Sequence, residues 1–207
     1  MAVSHESHRT RPLCLSNTDS KIRAIAANQS LTKTASKLCC SEQQGFVTGR
    51  TLTHNIVNLD GASAAWAMHH STDLAVLFID FAAAFLSVST VYLWQALWTI
   101  GVSSKTIAAI RTMYNNSVSH VILGSCETIP ILLQSGIKQG CPLSGTLFAL
   151  LMDPILRFLN KLHPRDSVRF FAYADDIAVL LHHMSEQLPF LAFAQSDCTR
   201  EFFESQR

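Results

Sequence analysis

The sequence has no C-x-x-C pair and no histidines at zinc-finger spacing, although it contains six cysteines and nine histidines. The pairs His69-His70 and His182-His183 have no further ligand at helical or finger spacing. This pattern excludes an ordinary structural zinc site and differs from the cysteine framework of a small secreted domain. We therefore expect reduced thiols in an intracellular protein.

Internal repeats, low-complexity tracts and linkers rich in proline or glycine are also absent, as is the apolar core of a signal peptide. Without a linker, the 207 residues predict one domain of ordinary size or little more than one. That length is sufficient to bury a substantial core.

Charge is scarce and unevenly distributed. Charged residues make up 15% of the chain and hydrophobic ones 48%, which is more apolar than most soluble domains. Residues 1–50 carry seven Lys or Arg against three Asp or Glu, whereas the remainder carries nine against twelve. A basic front segment beside an acidic remainder fits a polyanionic substrate handled with divalent cations, and it equally fits an ordinary solvated surface.

One uncharged stretch, from Phe81 to Val102, is long enough to cross a bilayer. Its polar residues, among them Gln95, and the bordering Asp80 argue against insertion. A buried strand, loop and helix would explain the same composition. We expect no membrane contact, and a membrane protein spanning Phe81–Val102 is the least favoured interpretation.

Periodicity and turn residues predict an α+β chain with an antiparallel core. The predicted order starts with a helix over 17–38, a buried strand over Leu74–Asp80 and two helices over Val91–Ile100 and Ser104–Asn115. A hairpin follows, in which HVILG and IPILLQSG flank the turn SCE. The last two elements are a helix from Thr146, which Pro154 kinks or divides, and a final hairpin.

The final hairpin carries two adjacent carboxylates. In RFFAYADDIAVLL, the runs Phe170–Tyr173 and Ile177–Leu181 predict strands, and Ala174–Asp176 predicts the turn between them. Such a turn would point Asp175 and Asp176 at the same small volume, where each raises the pKa of the other unless a cation lies between them. The alternative is a simple polar hairpin tip, since Asp is common in turns.

Five sequence blocks occur in an order that resembles the reverse transcriptase domain of non-LTR (LINE-type) retrotransposons. The blocks are RPLCLSNTDSKI, QQGFVTGR, LFIDFAAAF, GIKQGCPLSGTLFAL and FAYADDIAV. The resemblance covers most of the chain. It implies a fingers-and-palm fold in which an antiparallel palm sheet is backed by helices, and it suggests the nucleus as the location.

The resemblance also implies a domain division. The chain would comprise an incomplete reverse transcriptase domain over 1–190, with fingers over about 1–72 and 90–140 and palm over about 73–89 and 141–190, followed by a divergent tail over 191–207. The thumb is expected to be absent, and a longer protein would supply it.

The implied activity is RNA-directed DNA polymerisation on an RNA template, with a DNA primer and deoxynucleoside triphosphates as substrates. Nucleotide addition is an in-line phosphoryl transfer, which two metal ions about 4 Å apart can catalyse. Mg²⁺, or Mn²⁺ in its place, suits hard carboxylate oxygens, whereas His or Cys would select other metals. By resemblance, Asp80, Asp175 and Asp176 are catalytic and hold the two ions, and the backbone carbonyl of Phe81 adds a ligand.

The resemblance further implies a nucleotide-binding set, which is Arg11, Phe85, Lys138, Gln139 and Gly140. Arg11 would meet the triphosphate and Lys138 a phosphate, while Gln139 and Gly140 would lie near the nucleotide and template. Phe85 would exclude ribonucleotides by clashing with the 2′-hydroxyl, although it could equally be a core aromatic. The loop around Gln139 could also be only a tight turn that ends in a helix cap formed by Ser144.

One departure from the family pattern lies beside Phe85. Leu86 occupies the position where the family usually has Asp, and Ala83 and Ala84 replace polar neighbours. These changes remove no implied metal ligand. They support a second interpretation, a catalytically inactive remnant that binds nucleic acid weakly, and we expect the isolated chain to be poorly active or inactive.

Overall fold

The structure, a computed structural model, describes residues 14–69, 74–81, 83–123, 125–163 and 166–182. The helices are α1 (Thr18–Leu38), α2 (Leu52–His69), α3 (Ala84–Ser87), α4 (Thr90–Thr99), α5 (Ser104–Tyr114) and α6 (Ser144–Leu162). The strands are β1 (Ala75–Ile79), β2 (Val118–Ser119), β3 (Ile122–Leu123), β4 (Cys126–Glu127), β5 (Ile131–Leu132), β6 (Val168–Tyr173) and β7 (Asp176–Leu181). The predicted α+β class is confirmed, and α1, α4 and α5 lie where the sequence predicts helices.

A three-stranded antiparallel sheet in the order β1-β7-β6 lies at the centre of the fold. Because β7 is the middle strand, Ile177 and Val179 face the main core on one side while Leu180 packs against α2 on the other. A strand that is buried on both faces has a continuous apolar sequence rather than an alternating one. This explains the run from Ile177 to Leu181.

Helix α6 packs on the face of the sheet opposite α2 and is the most deeply buried helix among the described residues. Leu147 and Leu156 are fully buried, and apolar residues occupy most of its circumference. The helix begins at Ser144, slightly before the predicted start at Thr146. Pro154 lies inside it without dividing it, so the division considered from the sequence does not occur.

Strand β1 corrects one expectation from the sequence. The apolar run Leu74–Asp80 predicted a buried strand, but β1 lies at the edge of the sheet and pairs with β7. Val76 is 41% exposed and Phe78 is 75% exposed, while Leu77 packs against the main core. The strand is exposed on one face because α2 packs over β6 and β7 and leaves β1 uncovered.

The uncharged stretch Phe81–Val102 forms two short helices, α3 and α4, and Ala82 lies outside the described residues. Leu93 and Leu97 of α4 are fully buried in the main core. Within the described ranges, no helix has the length and apolar character needed to cross a membrane. The structure thus shows two short helices in this stretch, and the apolar side chains of α4 belong to the protein core.

The predicted middle hairpin exists, but its strands pair differently. β2 pairs with β5 and β3 pairs with β4, both antiparallel. Cys126 and Glu127, predicted to form the turn, are the strand β4. Val121 joins the two pairings, because its N–H donates to the Thr128 hydroxyl and its carbonyl accepts the Thr128 N–H, both at 3.0 Å.

Helix α2 was not among the elements predicted from the sequence. Ala62 and Trp66 pack on Leu180 of the sheet, on the face opposite α6. The Arg169 guanidinium of β6 lies 5.0 Å from the centroid of the Trp66 ring, which adds a cation–π contact to this packing.

Candidate active site

The three predicted acids lie at one end of the central sheet. Ile79 pairs with Ile177 in the β1–β7 ladder, so Asp80, the next residue, lies beside Asp176 at the start of β7. Asp175 occupies the turn immediately before Asp176. The antiparallel pairing thus places together acids that are separated in the sequence by most of the helices.

The acidic turn consists of Ala174 and Asp175, because Tyr173 pairs with Asp176 across it. This corrects the predicted turn, which included Asp176. Ala174 has a φ of 57°, in the left-handed region that costs a residue with a side chain roughly 1–2 kcal/mol. Such strain persists only where neighbouring structure fixes the backbone.

The acids perturb one another electrostatically. Burial raises the pKa of Asp176, and the negative charges of Asp175 and Asp80 raise this pKa further. In the described ranges, no Lys or Arg forms an ion pair with any of the three carboxylates. The end of the sheet therefore carries negative charge that a cation would neutralise.

The donor chemistry of this site fits a hard divalent cation, since every side-chain donor is a carboxylate oxygen. Across the part of the chain that the structure describes, no three Asp, Glu, His or Cys side chains form a ready-made ligand set. The three carboxylates thus interact through their charges without forming a closed cluster. Phe81, whose carbonyl is an expected ligand, follows Asp80 and packs its side chain against the main core.

Phe85 of α3 lies within a row of three aromatic rings. It stacks on Phe148 of α6 with ring centroids 4.5 Å apart, and Phe46 meets it edge-on at 6.5 Å. Phe148 is buried, Phe85 is half-buried and Phe46 is 51% exposed. Phe85 is thus packed on one side against Phe148 and partly accessible to solvent.

Backbone hydrogen bonds attach the loop before α6 to the region of α3. The Gly136 N–H donates to the Val88 carbonyl at 2.7 Å, and the Ile137 N–H donates to the Phe85 carbonyl at 2.6 Å. Lys138 follows Ile137 directly. The structure therefore places the predicted nucleotide-binding loop beside Phe85.

Of the two basic residues predicted to contact phosphates, Lys138 is among the described residues and Arg11 is not. Lys138 donates from Nζ to the Met113 carbonyl at 2.5 Å and lies 5.2 Å from the centroid of the Tyr114 ring. Burial lowers the pKa of Lys138. In this arrangement the ammonium binds the end of α5, so it would have to leave Met113 to reach a phosphate.

Gly140 is required by the backbone of this loop. Its φ is 71°, and a Cβ at this position would lie 2.7 Å from the Cys14 carbonyl oxygen. Gln139 beside it is half-buried. The alternative in which Ser144 caps α6 is wrong, because Ser144 is the first helical residue and its hydroxyl donates to the Lys138 carbonyl.

Segment 42–45, for which no role was predicted, borders the acidic turn. It runs parallel to β6, where the Gln44 N–H donates to the Ala172 carbonyl at 2.8 Å. A Cβ at Gly45 would lie 2.2 Å from the Ala174 nitrogen, so the turn packs directly on the glycine backbone. The signal available in the sequence was the block QQGFVTGR, whose glycine marks this close approach.

Comparisons with known sequences point to one family. Residues 4–204 match the family described as reverse transcriptase (RNA-dependent DNA polymerase). The chain is 30% identical to the 149 kDa protein of transposon TX1 from Xenopus laevis over 177 residues, which is 82% of the chain. It is 34% identical to the Pol polyprotein of the type-1 retrotransposable element R2 from Bradysia coprophila over 125 residues, or 58% of the chain. The chain spans 14% of the length of each of these relatives.

Comparisons with solved structures agree on the fold. Apo telomerase from Candida tropicalis superposes with a TM-score of 0.66 at 12% identity, covering 86% of this chain and 38% of that one. Telomerase from Candida albicans gives a TM-score of 0.61 at 11% identity, covering 86% of this chain and 32% of that one. The order of the sequence blocks, the α+β fold and the family match together show that the chain belongs to the reverse transcriptase (RNA-dependent DNA polymerase) family, with relatives among the proteins of non-LTR retrotransposons.

Proposed function

We propose that this chain contributes the catalytic site of an RNA-directed DNA polymerase, which adds deoxynucleotides to a DNA primer on an RNA template. The observation that carries the proposal is the meeting of Asp80, Asp175 and Asp176 at one end of the sheet, where burial and the neighbouring charges raise the pKa of Asp176. Carboxylates that form no ion pair with a Lys or Arg among the described residues suit a site whose counter-charge arrives with the substrate.

In this proposal, the three carboxylates and the Phe81 carbonyl hold two divalent cations, Mg²⁺ or Mn²⁺. When bound, the cations would lower the pKa of the primer 3′-hydroxyl and stabilise the charge that develops on the transferred phosphoryl group. The protein then requires no side-chain base. The task of Asp80, Asp175 and Asp176 is to present their oxygens in a fixed arrangement.

The incoming nucleotide would lie between α3 and the loop before α6. The hydrogen bond from Ile137 to the Phe85 carbonyl supports this placement, because it brings the two predicted nucleotide-binding regions together. Phe85 would contact the sugar, and Gln139 and Gly140 would lie near the base and template. Arg11 and Lys138 would contact phosphates, with Lys138 released from Met113.

The charge distribution leads us to propose that this chain alone holds a duplex weakly. A polymerase binds an RNA:DNA duplex largely through Lys and Arg contacts to phosphates. Residues from Thr51 onward carry nine Lys or Arg against twelve Asp or Glu. A misplacement of about 1 Å at the primer end can cost on the order of a hundredfold in rate, so we expect extension by this chain to be slow.

A second candidate function is nucleic-acid binding without catalysis. Leu86 favours it, because an apolar side chain that is 46% exposed follows Phe85 directly, where the family usually has Asp. Loss of that carboxylate would leave the three acids in place but alter the polar surface around the nucleotide. The two functions differ in whether the chain extends a primer at all.

Primer extension on an RNA template, with Mn²⁺ and all four deoxynucleotides, tests the proposal. We expect slow extension by the purified chain, and none by the double variant Asp175→Asn/Asp176→Asn. Asp166→Asn is the matched control, because Asp166 is an exposed turn residue at the opposite end of β6. Duplex binding is measured in parallel by fluorescence anisotropy and should be similar in all three proteins.

Extension that survives the double substitution would show that the activity belongs to a contaminant or to another site. Duplex binding without any extension, even at high protein concentration, would favour the non-catalytic function. Direct Mn²⁺ titration then tests whether Asp175 and Asp176 form a metal site. An affinity that the double variant loses and Asp166→Asn retains shows an intact metal site, whereas equal affinity in all three proteins contradicts the proposed site.

A further inference from the structure

Gln43 is a fully buried polar side chain whose carboxamide binds two backbone segments at once. Its Oε1 accepts the N–H of Gly45 at 2.8 Å and the N–H of Ala174 at 2.9 Å. Its Nε2 donates to the Ala174 carbonyl at 3.2 Å. One side chain therefore binds both backbone polar groups of Ala174.

The residue held in this way is the strained member of the acidic turn. Ala174 is buried, has a positive φ and directly precedes Asp175. Its N–H belongs to the peptide plane before it, and its carbonyl belongs to the plane that leads into Asp175. Because Gln43 fixes both planes, it fixes the direction in which the chain presents Asp175 and then Asp176.

The support continues from Gln43 into the core. Arg50 donates to the Gln43 carbonyl at 2.6 Å and also to the Cys40 carbonyl. The Cys40 N–H donates at 2.6 Å to a carboxylate oxygen of Asp153, which is a buried residue of α6. The loop that carries Gln43 is thus attached to the most deeply buried helix described, so the carboxamide is a fixed contact.

The packing of the turn leaves it little freedom to move. Gly45 lies so close to Ala174 that a Cβ would overlap the Ala174 nitrogen at 2.2 Å. The neighbouring Gln44 has a different role, because its exposed amide donates at 2.7 Å to the Ser41 carbonyl within its own loop. Gln44 therefore offers a matched comparison for Gln43.

We propose that Gln43 is a positioning residue that sets the divalent-cation affinity of the acidic turn, acting through Ala174 on Asp175 and Asp176. The inference rests on the proposed function, because it concerns the same carboxylates. Partners that orient metal ligands without touching the metal typically contribute tenfold to a hundredfold in affinity. The same range is the expectation for Gln43.

Mn²⁺ titration of four variants tests the inference. Gln43→Ala should weaken binding by about tenfold or more. Gln43→Met keeps most of the side-chain volume and stays neutral but cannot donate to the Ala174 carbonyl and is a poor acceptor for the N–H groups of Ala174 and Gly45, so we expect a similar loss. Gln44→Ala should bind as the wild type does. Ile155→Val, in α6, controls for a general loss of stability.

A second readout requires no metal. The exchange rate of the Ala174 amide proton is measurable by NMR. Gln43→Ala should accelerate this exchange, whereas Gln44→Ala and Ile155→Val should leave it unchanged. Because Gln43→Met fills the space that Gln43→Ala leaves empty, it provides the same comparison if Gln43→Ala does not fold.

The outcomes separate the two proposals. If the wild type does not bind Mn²⁺, the proposed function fails, and the NMR measurements alone decide whether Gln43 positions the turn. If the wild type binds Mn²⁺ but the Gln43 variants bind equally well, the positioning role is overturned while the proposed function stands. A loss of affinity that Ile155→Val reproduces at equal stability would also overturn it.

Discussion

The ring of Phe85 lies on the ring of Phe148, with centroids 4.5 Å apart and 17° between the ring planes. This stacking leads to opposite predictions for the two interpretations of Phe85. If Phe85 is the sugar gate, Phe85→Val should admit ribonucleotides with little loss of deoxynucleotide use. Single-nucleotide incorporation of matched ribonucleotides and deoxynucleotides measures this ratio.

The control for Phe85→Val is Phe148→Val, which makes a cavity on the other side of the same stack. Both substitutions should lower the free energy of unfolding, by about 1–3 kcal/mol. Sugar selectivity should change in the Phe85 variant alone. Equal destabilisation with unchanged selectivity in both variants would assign Phe85 to the core.

The repulsion among the acids predicts a stabilising substitution in the absence of metal. The folded protein holds a proton on Asp176 to a higher pH than the unfolded chain does, so the free energy of unfolding falls as pH rises through that window. Asp175→Asn removes one charge and should raise the free energy of unfolding at pH 7 by roughly 0.2–1 kcal/mol, the range for exposed charge pairs.

Urea denaturation with a chelator present measures this gain. The gain should disappear at acidic pH, where the carboxylates are protonated in both proteins. Added Mn²⁺ should reverse the order, because the wild type would then be the more strongly stabilised protein. A variant that is less stable than the wild type at pH 7 without metal would contradict the electrostatic account.

Two cysteines after α1, the buried Cys39 and the half-buried Cys40, should react slowly. Burial, together with the negative charge of Asp153, raises the pKa of Cys39 and of Cys40 to about 12. Since the thiolate is the reactive form, iodoacetamide at pH 8 should modify the exposed Cys14 well before either of them. Peptide mass spectrometry over a time course gives the order of modification.

Asp153→Asn is the informative variant for this thiol prediction. It removes the charge that raises both pKa values while keeping an acceptor for the Cys40 N–H. Alkylation of Cys39 and Cys40 should therefore accelerate while the reactivity of Cys14 stays the same. Rates at Cys39 and Cys40 equal to those of Cys14 in the wild type would show that the loop opens freely.

Alanine substitutions at two glycines should change the stability of the protein in opposite directions. Gly61→Ala, inside α2 where a Cβ would meet no atom within 4 Å, should stabilise the protein by about 1 kcal/mol. Gly140→Ala should destabilise it by a similar amount or more, because of the positive φ and the contact with Cys14. Thermal denaturation of both variants provides the comparison, and stabilisation by Gly140→Ala would contradict the loop geometry.

The sequence predicted the elements whose local pattern is strong. Helical periodicity located α1, α4 and α5, and β-branched and aromatic runs located the final hairpin with its two acids. Helix α2 was missed because Asn, Gly and small residues obscure its periodicity, and it is the packing of Ala62 and Trp66 on Leu180 that stabilises it. Local sequence does not report such a tertiary contact.

The environment of the acidic turn could not be predicted from local pattern. That Gln43 binds both polar groups of Ala174 depends on two segments that are far apart in the sequence. The same applies to the exposed face of β1, since the coverage of a strand depends on where another element packs. The resemblance identified the acids, and the structure shows the contacts that fix the backbone of their turn.

The register of β1 against β7 affects the order in which the site can form during folding. The hairpin of β6 and β7 closes through a two-residue turn, so Asp175 and Asp176 can come together early and at little entropic cost. Asp80 joins them only when β1 pairs with β7, a contact that closes a loop containing all the elements from α3 to β6. Contacts of such long range form slowly. We infer that the acidic site is completed late in folding, so a partly folded chain holds two of the acids without the third.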